Sequence, residues 1–155
     1  MIIKFTRILI FLPFLVSCGF KVVNEYQLRN FDIIEIISSG DNRINFLLKK
    51  NLENDKENFS TKFKLNLETQ KIKEIKEKNI KNEITKYSIN IKTKINYSIV
   101  GSPNEGSFVI SKSGNYSLAS QYSQTITNEK NLINSLTKQV EEEIITKLIN
   151  VINDL

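Results

Sequence analysis

The chain has no histidine and no tryptophan, and its 155 residues include one cysteine, one methionine, two prolines and five glycines. Without histidine there is no catalytic triad, no imidazole general base and no histidine metal site. A glycine-rich phosphate loop is also missing. Carboxylates alone are left for acid–base work, and no Asp or Glu pair stands apart from what reads as solvated strand and helix faces. The run Glu141-Glu142-Glu143 reads as one such face, because a hard-metal site needs ligands converging from several directions. The composition therefore argues against an enzyme and implies no cofactor and no metal. An enzyme working through carboxylates would need a deep pocket with at least two buried acids. No apolar run approaches the roughly 20 residues of a membrane-spanning helix. The net charge of +5 is spread along the chain and forms no clustered basic face, which argues against nucleic acid.

The one cysteine sits where it is most informative. Lys4 and Arg7 give a positive start, Ile8 to Val16 form an apolar stretch broken only by Pro13, and small Ser17 precedes Cys18 and Gly19. This pattern resembles a bacterial lipoprotein signal, in which the thiol receives a diacylglyceryl group before cleavage. Residues 1–17 then read as the signal peptide, residues 18–30 as the lipidated N-terminus and tether, and residues 31–155 as a single domain. Each buried methylene is worth about 0.8 kcal/mol and one chain holds only marginally, so two or three acyl chains anchor stably. Gly19 after the cysteine favours the outer membrane over retention at the inner one. An ordinary secretory signal would leave Cys18 removed or as an unpaired thiol in an oxidising compartment. The leader carries two of the 22 basic residues and none of the 17 acidic ones, so its removal lowers the net charge to +3.

Behind the tether, Phe31 to Ser38 reads as a strand. Ile33, Ile34, Ile36 and Ile37 put apolar side chains on both of its faces, which predicts burial on both sides. Asp41 is placed to cap a helix from Asn42 to about Asn54, with Ile44, Leu47, Leu48 and Leu52 at spacings of three and four. The period then changes to two. Phe63, Leu65 and Leu67 alternate with Lys62, Lys64 and Asn66. Tyr87, Ile89, Ile91, Ile95, Tyr97 and Ile99 form a second alternation in which Thr93 fills the gap. These two strands should pair through a charged hairpin whose tip lies near Lys76 to Asn79. Gly101 to Gly106 is a turn, Phe108 and Ile110 open another strand ending by Gly114, and Asn128 or Thr127 caps a last helix reaching about Ile152. The fold class is α+β, a two-layer sandwich in which a mostly antiparallel four-stranded sheet packs on two helices.

The order of these elements and three short segments resemble the LPS-assembly lipoprotein family, LptE. The segments are Cys18-Gly19-Phe20, the strand Thr85 to Ile91 continuing to Ile99, and Gly114 to Ser117 with Ser120-Gln121-Tyr122 ahead of the last helix. The resemblance implies a non-catalytic lipoprotein that partners the outer-membrane β-barrel LptD in lipopolysaccharide assembly and transport. It would sit on the periplasmic side of the outer membrane or within the barrel lumen. An accessory or substrate-binding lipoprotein subunit of another envelope lipid-transport system is the alternative. Lys62, Lys64, Lys92 and Lys94 should lie on the sheet face away from the core, as candidate contacts to lipopolysaccharide or the barrel. Lysines that only keep an exposed face soluble and protect sheet edges would look the same.

Cys18→Ser is expected to abolish acylation. Metabolic labelling with radioactive palmitate should mark the parent chain and leave the variant blank.

Overall fold

The computed structural model describes residues 29–53 and 59–155; the leader and Cys18 lie outside the described residues. Strand β1 (Phe31–Gly40), helix α1 (Asn42–Leu52), strands β2 (Thr61–Lys78), β3 (Ile84–Ile99) and β4 (Glu105–Ser117), and helix α2 (Tyr122–Asn153) follow in that order. The four strands form one sheet in sequence order, with β1 parallel to β2 and the other pairs antiparallel. The parallel pair exists because α1 carries the chain back across the sheet, the usual crossover for parallel neighbours.

Both helices pack on the same face. On β2, Phe63, Leu65, Leu67 and Thr69 point into the core, and the residues between them are exposed. Ile89, Ile91, Thr93 and Ile95 of β3 line the same layer. Against them lie Ile44, Leu48 and Leu52 of α1 and Ile133, Leu136, Val140, Ile144 and Leu148 of α2, all buried. Each such side chain stabilises the fold by about 1.5–3 kcal/mol relative to exposure. The two threonines in this layer face each other across the β2–β3 ladder, their hydroxyls 3.2 Å apart, so neither is left without a partner in the core. At the end of the sheet where β1 begins, Phe31, Phe63, Tyr97 and Phe108 form a row of ring contacts with centroids 5.2, 5.9 and 6.1 Å apart.

Asp41 caps α1 as its position predicts, its Oδ1 accepting from the backbone N–H of Arg43 at 3.1 Å and Ile44 at 3.0 Å. The predicted two-sided burial of β1 is not observed: Ile34 is 41 % exposed and Ile37 60 %. A bulge between Ile33 and Glu35 resets the alternation, so Ile36 turns inward and Ile37 outward, toward a face that no helix covers. The β2–β3 hairpin runs further than expected, with β2 reaching Lys78. Asn79 then builds the turn, its Oδ1 accepting from the backbone N–H of Lys81 at 2.9 Å and Glu83 at 3.0 Å. Helix α2 begins at Tyr122, ahead of Thr127 and Asn128. Its first turns overhang the core, with Tyr122 80 % exposed, so the apolar spacing that marks the helix starts later than the helix does. Arg29, the first described residue, is buried. It donates from Nε to the Phe31 carbonyl at 2.9 Å and from Nη1 to the Leu52 carbonyl at 3.1 Å.

Gly40 closes the corner between β1 and α1 at φ +93°, and a Cβ there would lie 2.0 Å from the Thr69 carbonyl oxygen. That oxygen also accepts from the Asp41 N–H at 2.9 Å, so it cannot retreat without losing the bond. Gly40→Ala should therefore destabilise the protein by about 3 kcal/mol, read as a lowered denaturation midpoint.

Candidate functional site

The face of the sheet opposite the helices is open, and its side chains follow from strand parity. Lys62, Lys64, Asn66, Glu68 and Gln70 of β2 lie on it, as do Lys92, Lys94, Asn96 and Ser98 of β3 and Ser107, Val109, Ser111 and Ser113 of β4. All four lysines singled out in the sequence are therefore exposed on one face. They do not form a single basic patch. Lys64 stands opposite Ser98, whereas Lys94 stands opposite Glu68 and Lys92 opposite Gln70, four and six residues further along β2 and about 13 and 20 Å away.

The two groups differ in electrostatics. Lys64 Nζ lies 2.8 Å from Glu35 Oε2 on β1, and this hydrogen bond, with the charge behind it, holds the Glu35 carboxyl below its ordinary range. Lys92 and Lys94 form no ion pair among the described residues and flank a hollow of about 170 Å³ with Glu68, Gln70 and Val109. A larger depression of about 440 Å³ crosses the face between Glu35, Ile37, Lys64, Asn66, Asn96, Ser98 and Glu105. It combines an exposed isoleucine, amide and hydroxyl groups and charges of both signs. Such a surface offers hydrogen-bonding groups and apolar area side by side.

Beyond the core, the long hairpin is tied to α2. Lys73 Nζ lies 2.8 Å from Glu129 Oε2, which also accepts from the Tyr116 hydroxyl at 2.8 Å, and the ammonium sits 4.5 Å from the Tyr87 ring centre. Desolvation pushes the Glu129 carboxyl up, but the hydrogen bonds from Lys73 and Tyr116 outweigh it and hold the group below its usual range. No local pattern marks this cluster, because its members come from four separate elements.

The reading of Glu141 to Glu143 as one solvated face is corrected by the packing. Glu142 and Glu143 are half-buried: Glu142 lies 3.8 Å from Lys138, and Glu143 lies 2.5 Å from Lys112 of β4 and 3.9 Å from Lys147. Glu141 is 1 % exposed and accepts from Asn51 Nδ2 of α1 at 2.7 Å. The stripe of α2 is wide enough to meet both the sheet and α1, and position 141 falls on the α1 side. No helix among the described residues is long and apolar enough to cross a membrane.

No protein-family model matches the chain, and no curated protein matches it in sequence. Solved structures do match in fold. Rare lipoprotein B from Shewanella oneidensis superposes with a TM-score of 0.57 at 11% identity, covering 77% of this chain and 97% of that one. A protein named as a lipoprotein from Caulobacter crescentus CB15 gives 0.55 at 11% identity, over 84% and 95% of the two chains. Lipoprotein B from Nitrosomonas europaea gives 0.52 at 10% identity, over 79% and 85%. The chain thus shares the fold of proteins named as lipoproteins.

Burial raises the Glu141 carboxyl from 4.5 to about 7, with the Glu142 charge adding to the shift. The folded state then holds a proton that the unfolded chain releases, so Glu141 carries no penalty below about pH 4.5 and destabilises the fold increasingly as pH rises toward 7. Glu141→Gln keeps the acceptor for Asn51 and removes that titration. Urea denaturation should show the variant more stable than the parent by about 2 kcal/mol at pH 8, with the two converging at pH 4.

Proposed function

We propose that this chain is a lipid-anchored lipoprotein of the outer membrane that partners an LptD-like β-barrel in the assembly and outward transport of lipopolysaccharide. It contributes surface complementarity and no covalent chemistry. The observation that carries this reading is a lipoprotein-type leader joined to a fold shared with rare lipoprotein B and two further proteins named as lipoproteins. The open sheet face supports it. A barrel wall offers hydrogen-bonding groups and mixed charge, and the Asn, Ser and Lys side chains opposite the helices are suited to meet them. The phosphates of lipopolysaccharide would be drawn to Lys92 and Lys94, two exposed lysines against the single Glu68 across the ladder.

Affinity purification of the full chain from its native envelope is expected to recover an LptD-like barrel, and depletion should reduce surface lipopolysaccharide with misassembled barrel. Recovery of another complex without such a barrel refutes the reading. Lys92→Glu with Lys94→Glu should leave the fold intact, since both side chains are exposed, and should lower barrel recovery at least threefold.

A further inference from the structure

Helix α1 turns Ile44, Leu48 and Leu52 toward the core and leaves Asn42, Arg43, Phe46, Lys49 and Lys50 exposed. At about 100° per residue Phe46 falls on the side opposite the buried stripe, with Lys49 on one flank and Arg43 and Lys50 on the other. Its side chain is 68 % exposed, whereas Phe31 and Phe63 are fully buried. The charge on this face is of one sign, because α1 contains no Asp or Glu. Asp41 ahead of it is paired with Lys71 at 3.5 Å, and Glu53 behind it lies 3.8 Å from Lys49. Arg43 and Lys50 have no ion-pair partner among the described residues. On α2, by contrast, Lys138 and Lys147 are each matched by Glu142 or Glu143 one turn away. The face also has a particular place in the chain. Arg29 Nη1 donates to the Leu52 carbonyl, so the described chain begins against the C-terminal end of α1. Eleven residues separate Arg29 from Cys18, and they span at most about 40 Å.

We propose that the outward face of α1 docks on the surface of an anionic phospholipid bilayer, Phe46 entering the headgroup boundary while Arg43, Lys49 and Lys50 meet the lipid phosphates. Charge complementarity commits the face to this occupant. An aromatic ring surrounded by cations on flexible stems matches an anionic interface, where the ring leaves water and the charges stay at the phosphates. A lipid anchor on Cys18 makes the contact intramolecular, so a weak interaction is enough to hold α1 down. The anchor in turn gains a second attachment, which stable membrane association requires. The proposal rests on the lipid-anchored part of the proposed function and is independent of the barrel. The bilayer and the open sheet face then lie on opposite sides of the molecule.

The chain has no tryptophan, so Phe46→Trp introduces a single indole as a probe. The purified full chain is reconstituted with vesicles of brominated phosphatidylcholine, alone or mixed with brominated phosphatidylglycerol, and its flotation with the vesicles is recorded. With phosphatidylglycerol present, emission from position 46 should shift to the blue and be quenched at least twofold. With phosphatidylcholine alone, or at about 1 M salt, it should remain that of a solvated indole. Arg43→Gln with Lys50→Gln should lower the docked-to-free ratio at least tenfold, at about fivefold for each charge. Both side chains are exposed, so the urea midpoint should not move. Val109→Trp, on the open face, should show no quenching with either lipid. If Phe46→Trp fails to accumulate, Asn42→Trp on the same face carries the same test. A chain that floats with phosphatidylglycerol vesicles while position 46 stays solvated overturns this proposal alone; a chain that does not float overturns the anchored reading with it. Equal quenching with both lipids, or at positions 46 and 109, also overturns it. Quenching that requires added lipopolysaccharide, or a benzophenone at position 46 that links to a protein in the native envelope, overturns it and assigns the face to that partner.

Discussion

A sheet covered on one side must bury one half of every strand and show the other half to its surroundings, and this constraint shapes the whole molecule. Phe63, Leu65 and Leu67 can be core only because Lys62, Lys64 and Asn66 are not, so the chemistry of the open face is written into the same residues that build the hydrophobic layer. A slip of one residue would exchange the two faces. The opposed Thr69 and Thr93 show how closely the register is kept, since each hydroxyl in the core depends on the other being directly across the ladder.

The helices complete that constraint in different ways. Helix α1 is short, capped by Asp41 and held at its start by the close approach of Gly40 to the Thr69 carbonyl, so its placement is fixed by local geometry. Helix α2 is 32 residues long and fixed by its stripe, which is broad enough to contact the sheet and α1 together. That breadth brings Glu141 into the interior beside Asn51. The bond from Asn51 is directional and joins the two helices side chain to side chain, beside the apolar contacts that surround it.

Much of this architecture is legible in the residues because strand alternation has a period of two wherever no bulge resets it. The paired strands and the exposed lysines follow from it, and the capped helix follows from Asp41 and the three- and four-residue spacing behind it. What could not be read depends on where an element stands. The outward turn of Ile37 comes from a bulge and from β1 being an edge strand with one face uncovered, and neither leaves a mark on composition. The early start of α2 is hidden because overhanging turns have no core to face and so carry no apolar spacing. The separation of Lys64 from Lys94 is likewise a property of strand register.

The parallel pairing of β1 with β2 gives the molecule two distinct ends. The chain enters the sheet at Phe31, beside Thr61 at the beginning of β2, and the hairpin turns back after Lys78 at the other extremity. At about 3.3 Å per residue the 18 residues of β2 span roughly 60 Å, around twice the thickness of a bilayer's hydrocarbon layer. The start of the sheet at Phe31 and the Asn79 turn are thus held a long distance apart, and the molecule has a near end and a far end.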